Sequence, residues 1–153
     1  MTGMTSGMTS PRNKALAPFA ALIGRWRMSA THPMLPGEQF RGDATFEWLD
    51  DGAFVLWRSS IEDSRFPVGV AILGSDDERG EYFMLYFDDR GVSRKYDVAV
   101  DGNTIRWWRN PTSLSQRQVW TIADNTRTFT GKGEMSRNGG AWEGDLEVAY
   151  TRI

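Results

Sequence analysis

Cysteine is absent from the 153-residue chain, and His32 is its one histidine. Without cysteine the protein cannot form disulfides, thiolate zinc sites or iron–sulfur clusters, and it has no thiol nucleophile. A metal site that needs several imidazole ligands is excluded as well, because a single chain offers only one. No metal site is therefore predicted.

The chain also lacks a basic excess and a long apolar run. Lys and Arg total 18 against 20 Asp and Glu, for a net charge of -2, so no positive field favours nucleic acid. No segment approaches the roughly 18 apolar residues that span a bilayer. The Met-Thr repeats of the first residues carry no secretory-signal pattern. We expect a cytoplasmic protein that binds neither nucleic acid nor membrane, with a disordered tail at 1–12 and one domain at 13–153.

Aromatic residues and glycine are plentiful, with seven Trp, eight Phe, four Tyr and sixteen Gly. Turn signals such as Asp51-Gly52, Asp101-Gly102 and Asn138-Gly139 recur about every eight to fifteen residues, which is typical of an all-β protein. Between the turns the sequence predicts ten strands, at 25–32, 40–49, 53–62, 67–73, 81–87, 93–99, 103–109, 116–123, 127–135 and 141–151.

One helix is predicted, at 13–23, where Leu16, Phe19, Ala20 and Ile23 recur at spacings of three and four. The strands alternate apolar and polar residues, which predicts a closed antiparallel up-and-down β-barrel of about ten strands with this helix at one end. Strand 81–87 is apolar on both faces. Its outer face needs cover, either from the helix or from a second subunit in a homodimer.

The segment Leu22-Ile23-Gly24-Arg25-Trp26 resembles the Gly-x-Trp signature of the calycin superfamily, which contains lipocalins, fatty-acid-binding proteins and nitrobindins. In that group the tryptophan closes the barrel floor against an arginine of the last strand, and Arg152 is the matching residue. The segments 70–76 and 149–152 are similar to those of nitrobindin-like and bacterial lipocalin-like proteins. The resemblance covers roughly residues 16–153.

This resemblance implies that the barrel binds a small hydrophobic or amphipathic molecule in its interior. The residues expected to contact that ligand are Trp26, Met28, His32, Phe46, Trp48, Arg58, Met84, Tyr96, Trp107, Trp108 and Trp120.

Two interpretations of the arginine side chains are possible, and they differ in whether the arginines contact such a ligand. Arg58 or Arg106, together with Tyr96 or Tyr86, would clamp an anionic head group if the arginine points inward. The same arginines would instead stack on surface tryptophans if they point outward. A shift of one residue exchanges the two faces of a strand, so the sequence leaves both readings open.

Two further functions stay open at the level of sequence. An enzyme of the proton-transfer or isomerase type would use His32 as its base and Arg58 to stabilise a developing negative charge. A haem protein is the other, because nitrobindins bind haem through a histidine near the end of the chain. Residues 127–153 contain no histidine, so no cofactor is predicted, and Tyr150 or His32 would have to replace that ligand.

Overall fold

The structure is a computed structural model that describes residues 10–153. It contains one 3-10 helix, Lys14–Leu22, and ten strands. The strands are β1 Gly24–Thr31, β2 Phe40–Leu49, β3 Phe54–Ile61, β4 Gly69–Asp76, β5 Glu81–Asp88, β6 Ser93–Asp101, β7 Thr104–Arg109, β8 Leu114–Ile122, β9 Thr128–Arg137 and β10 Glu143–Arg152. No helix in this part of the chain is long and apolar enough to cross a membrane.

The ten strands form a closed antiparallel barrel, which confirms the predicted fold class. Each strand pairs with its neighbours in sequence, and β1 pairs with β10 to close the ring. The largest difference from the predicted strands is in β4, which runs on through Ser75 and Asp76. These two residues pair with Tyr82 and Glu81, so β4 extends into the segment predicted as a turn.

The helix is a 3-10 helix, whereas the sequence suggested an amphipathic pattern of period 3.6. Its buried residues are Leu16, Phe19 and Leu22, and a spacing of three aligns side chains on one stripe when there are three residues per turn. Ala20 and Ile23 are half-buried. The Asn13 side chain caps the first turn by accepting a hydrogen bond from the Ala15 N–H at 3.1 Å.

The helix lies across one end of the barrel, which we call the helix end, and the opposite end is called the open end. Tyr82 Oη donates to the Ala15 carbonyl at 2.7 Å, and Trp26 Nε1 donates to the Leu22 carbonyl at 2.8 Å. The chain contacts the barrel before the helix begins, because Pro11 is buried and the Arg12 N–H donates to Asp51. Pro11 and Arg12 therefore contact the barrel, and residues 1–9 of the predicted tail lie outside the described residues.

Arg152 joins the helix to the first and last strands. Its guanidinium lies 4.2 Å from the centre of the Trp26 ring and donates to the carbonyls of Ile23 at 2.7 Å, Ala21 at 2.6 Å and Thr126 at 3.1 Å. The contact between tryptophan and arginine that the family resemblance implied is thus present.

Gly24 makes room for this guanidinium. Its φ is +135°, and a Cβ added there would lie 2.5 Å from Arg152 Nη1. Both the backbone conformation and the space require glycine at this position.

Aromatic rings fill the helix half of the barrel. Trp26 packs edge-on against Phe129, with ring centres 4.7 Å apart, and Phe129 stacks on Tyr150 at 4.0 Å. Trp120 contacts this group and continues it to Trp57 at 4.9 Å. Because these rings touch one another, the helix end of the interior is a packed core rather than an empty cavity.

The stability of the closed barrel should depend on Arg152. Replacing Arg152 with Met removes three hydrogen bonds from a cation and leaves the carbonyls of Ile23 and Ala21 without this donor. We expect the free energy of unfolding to fall by about 2–4 kcal/mol, measured by urea denaturation. Arg127→Met, at an exposed neighbouring position, is the control and should change it by less than about 0.5 kcal/mol. Equal effects of the two substitutions would contradict this account.

Candidate functional site

Polar side chains line the inner wall at the open end of the barrel, on β6, β7 and β8. Arg94 Nη1 and Tyr96 Oη both donate to Gln116 Oε1, at 3.2 and 2.9 Å. Arg109 lies opposite Gln116 in the sheet register, with its guanidinium 5.9 Å from the centre of the Tyr96 ring. We call Arg94, Tyr96, Arg109, Gln116 and the adjacent Gln118 the polar cluster.

The two arginines of the polar cluster are half-buried, and within residues 10–153 neither forms an ion pair with a carboxylate. A guanidinium withdrawn from water needs acceptors for its N–H groups. Gln116 supplies one acceptor to Arg94. Arg109 Nε is buried without a partner. The wall therefore carries two positive charges without a carboxylate in ion-pair contact, and the nearby Asp145 carboxylate is bound to His32.

Other buried polar atoms in the same region also lack partners. These are the indole Nε1 atoms of Trp57 and Trp107 and the Oε1 atom of Gln118. Trp57 and Trp107 contact each other with ring centres 6.2 Å apart, and Trp107 contacts Tyr96 at 4.9 Å. Buried donors without acceptors are rare in folded proteins. The two indole N–H groups, together with Arg109 Nε, are donors that favour an anion or another hydrogen-bond acceptor, whereas the Gln118 oxygen needs a donor.

A second group of charges lies at the mouth of the open end. Tyr86 Oη donates to Asp88 Oδ2 at 2.7 Å, and Arg90 Nη2 donates to the same oxygen at 2.7 Å. The Arg90 guanidinium and the Tyr86 hydroxyl hold the pKa of Asp88 well below its usual value of 3.8. Burial and the Asp88 carboxylate raise the pKa of Tyr86, and burial raises the pKa of Tyr96. Both phenols therefore stay protonated at neutral pH and act as donors.

The clearest clefts lie on the outer surface and around the ends of the barrel. One of them, about 1050 Å³, lies between the helix and the ends of β1 and β2, where Trp48 borders it. Another, about 490 Å³, lies outside β7 to β9, between Trp108 and Trp142.

The structure divides the predicted ligand contacts into three groups. Trp26, Met28, Phe46, Met84 and Trp120 are buried in the packed interior. Trp48 lies at the helix end, beside the cleft described above. Tyr96 and Trp107 reach the polar cluster of the open end.

Arg58 and Trp108 are not in the interior, and their predicted placement is wrong. In β3 the buried residues are Val55 and Trp57, so Arg58 faces outward and is exposed. In β7 Ile105 and Trp107 face inward, which turns Trp108 outward. Arg106 is likewise exposed on the outer face. The inward-facing arginine of this strand is Arg109, whereas the candidates from the sequence for an inward-facing arginine were Arg58 and Arg106.

Both ring nitrogens of His32 are engaged. Nδ1 accepts the Met34 N–H at 3.1 Å, and Nε2 lies 2.9 Å from Asp145 Oδ1. With Nδ1 as the acceptor, the ring proton is on Nε2 and is donated to Asp145. This pair ties the β1–β2 connection to β10. The predicted pairing of His32 with Arg58 for proton transfer does not form, because Arg58 lies outside the barrel wall.

The described residues do not fit a haem iron. His32 would have to give up one of its two hydrogen bonds to act as a ligand. Tyr150 is buried and stacked on Phe129 at 4.0 Å. Burial raises the pKa of its hydroxyl, so the phenolate that would bind iron is disfavoured.

Sequence reasoning missed Arg94, Arg109 and Asp145. The first two could have been found, because each lies two residues from an aromatic residue that faces inward, Tyr96 and Trp107. Asp145 could not have been found in this way, because strict alternation along β10 would place its side chain on the outer face of the barrel. A register shift between Gly144 and Glu147 breaks that alternation and brings Asp145 to His32.

Solved structures with the same fold include Rv2717c from M. tuberculosis, with a TM-score of 0.63 and 12% identity over 91% of this chain and 97% of that chain. A DUF3598-family protein of unknown function from Nostoc punctiforme has a TM-score of 0.59 and 10% identity over 87% of this chain. The alignment covers 48% of that longer protein. The S-type phycobiliprotein lyase CPES from Guillardia theta has a TM-score of 0.56 and 15% identity over 96% of this chain and 94% of that chain.

These similarities show the fold alone, a closed lipocalin-like β-barrel. No protein-family model and no curated protein matches the sequence. Membership of the nitrobindin-like branch stays a prediction.

Stability in acid should report on Asp88. Its lowered pKa stabilises the fold fully above pH 3.8, the usual value, and that contribution is lost as the pH falls through the lowered pKa. Asp88→Asn should therefore lower the free energy of unfolding at neutral pH, and the gap to wild type should close towards about pH 2. Urea denaturation across this pH range measures it.

The control is Asp77→Asn at an exposed turn position, which removes the same charge without touching Tyr86 or Arg90. If the difference in the free energy of unfolding between wild type and Asp88→Asn stays constant from neutral to acid pH, Tyr86 and Arg90 do not lower the pKa of Asp88 in the folded state.

Proposed function

We propose that the protein binds a small, planar, amphipathic molecule with an anionic group at the open end of its barrel. The observation that carries the proposal is the pair of half-buried arginines, Arg94 and Arg109, without a carboxylate partner in the described chain. The protein as a whole is slightly acidic, so this positive charge is a local feature of the inner wall.

The arginines are held before any ligand arrives. Gln116 Oε1 accepts from both Arg94 and Tyr96, so one amide oxygen orients a guanidinium and a phenol. Arg109 lies over the Tyr96 ring, which leaves its N–H groups directed away from that ring face. Positioned donors lose less conformational entropy on binding than free ones. A carboxylate, sulfonate or phosphate between the two cations would accept charge-assisted hydrogen bonds.

The free indole N–H groups of Trp57 and Trp107 supply the second part of the recognition. They lie next to the polar cluster, and each can donate to one acceptor atom. The rings that carry them, with Tyr96, offer flat apolar surfaces. A planar molecule would contact those surfaces while its acceptor atoms bind the two N–H groups and its anionic group binds the arginines.

The packed helix end limits the size of the ligand. Phe46 stacks against Trp57 at 5.6 Å, and Trp120 contacts Trp57 at 4.9 Å, so these rings occupy the space where a long acyl chain would extend. The apolar part of the ligand is therefore compact. Binding in the mouth of a β-barrel is a general property of such folds, and a phycobiliprotein lyase shares this fold.

A pair of matched dyes tests the proposal. Anilinonaphthalene sulfonate is planar, aromatic and anionic, and N-phenylnaphthylamine has the same rings without the sulfonate. We expect the sulfonate to bind more tightly, by fluorescence titration. Arg109→Met and Arg94→Met should each weaken the sulfonate by about tenfold or more, the worth of one charge-assisted hydrogen bond. They should leave N-phenylnaphthylamine within about twofold.

Arg106→Met is the matched control, because Arg106 is on the same strand as Arg109 but faces outward. It should not change either affinity. Sulfonate binding that is indifferent to Arg109→Met would place the dye elsewhere and refute the proposed site. A Soret band on adding haem to the same sample would favour the haem alternative instead.

A further inference from the structure

The outer face of β3, β4 and β5 is an apolar surface that no other element of residues 10–153 covers; the Lys95 ammonium alone lies over one of its rings, 5.9 Å from the centre of Phe83. The helix contacts the ends of these strands but does not lie over their outer face, so of the two covers considered for β5, the helix and a second subunit, the helix does not provide it. The apolar side chains on this face are Phe54, Leu56, Val70, Ile72, Phe83, Leu85 and Phe87, which we call the outer patch. None is fully buried, and Phe54 and Phe87 are 42% and 40% exposed.

A contiguous apolar surface of this kind marks an interaction site. We propose that a second copy of this chain docks on the outer patch, related by a twofold axis that runs along β4. The proposal does not depend on the ligand proposed above, because the outer patch and the polar cluster lie on opposite sides of the barrel wall.

Charge complementarity identifies the occupant. The strand register places a row of five residues side by side across β2 to β6: Glu47, Leu56, Ile72, Leu85 and Lys95. The row therefore runs from an exposed acid through three apolar residues to an exposed base. A surface with opposite charges at its two sides is complementary to a copy of itself turned by half a rotation.

The direction of the axis follows from the same row. A twofold axis along β4 places β3 of one copy on β5 of the other, so Leu56 meets Leu85 and Glu47 faces Lys95 twice. An axis across the strands would instead place Glu47 against Glu47 and Lys95 against Lys95. Like charges in these positions repel, and the axis along β4 is therefore favoured.

The rows on either side fit the same arrangement. Arg58, Val70 and Phe87 are in register, so the axis along β4 brings each exposed Arg58 to a Phe87 ring of the other copy, a favourable cation–π pair. On the other side Phe54 and Phe83 flank Gly74. A Cβ on Gly74 would lie 3.0 Å from the Phe83 ring and 3.5 Å from the Phe54 ring. Both rings therefore lie close to this glycine on the outer face.

The size of the patch predicts a weak dimer. Together with the flanking strands β2 and β6, which carry Glu47 and Lys95, the contact surface spans five strands about 4.8 Å apart and three rows about 6.8 Å apart, or about 500 Å² per copy and about 1,000 Å² in total. That is at the low end of specific interfaces. We therefore expect a reversible dimer with a dissociation constant in the micromolar range.

Sedimentation velocity of the full chain over a wide range of concentrations measures the equilibrium. Leu85→Glu puts a carboxylate at the centre of the interface in both copies and should weaken the dimer by about a hundredfold or more. Thr121→Glu adds the same charge at an exposed outward position on β8, away from the patch, and should leave dimerisation unchanged. Circular dichroism checks that both variants are folded.

Charge reversal tests the orientation with variants at exposed positions that do not disturb the core. Glu47→Lys and Lys95→Glu should each weaken the dimer by about three- to tenfold, because each replaces two attractive contacts with two repulsive ones. The double variant should restore the wild-type affinity.

A chain that stays monomeric at the highest concentration would overturn the proposal and leave the outer patch to a different partner. A dimer indifferent to Leu85→Glu would place the interface elsewhere. A dimer that Leu85→Glu disrupts, but whose single charge reversals are not rescued by the double variant, would overturn the axis along β4.

Discussion

The contact between the Arg152 guanidinium and the Trp26 indole is the constraint on which the rest of the structure depends. A barrel is closed only if its first and last strands pair, and these two residues are directly opposite each other in that pairing. The same guanidinium holds the end of the helix through the carbonyls of Ile23 and Ala21. One guanidinium therefore stabilises both the closure of the barrel and the docking of the helix. Gly24 has no side chain and so leaves room for this guanidinium.

Closure gives the interior two unequal halves. At the helix end, rings from Trp26, Trp120 and Phe129 touch one another and exclude water. Towards the open end, β6 to β8 carry polar side chains on their inner face, including two arginines that form no ion pair with a carboxylate in residues 10–153. The proposed ligand site is therefore at the mouth of the barrel rather than in its centre.

The wall of the barrel also separates two kinds of interaction. On β5, Met84 and Tyr86 point to the interior, while Leu85 and Phe87 point outward. An antiparallel strand that is apolar on both faces needs a contact on each. The inner face of β5 packs in the barrel interior. Its outer face belongs to the outer patch, where we propose that a second copy binds. The proposed ligand site and the proposed dimer interface therefore lie on opposite faces of the wall and share no side chain.

The class of fold could be predicted from the sequence, because turn residues and alternation are local properties. The segment Gly24-Arg25-Trp26 also indicated how the barrel closes. The sequence bounded the chemistry as well, since the chain has no cysteine and only His32. The tertiary structure decided which side of β3 and β7 faces inward, and hence that Arg109 rather than Arg58 belongs to the site. It also decided that Asp145 reaches His32. A shift of one residue exchanges the faces of a strand and a bulge breaks its alternation, so only the pairing of distant strands settles where these charges lie.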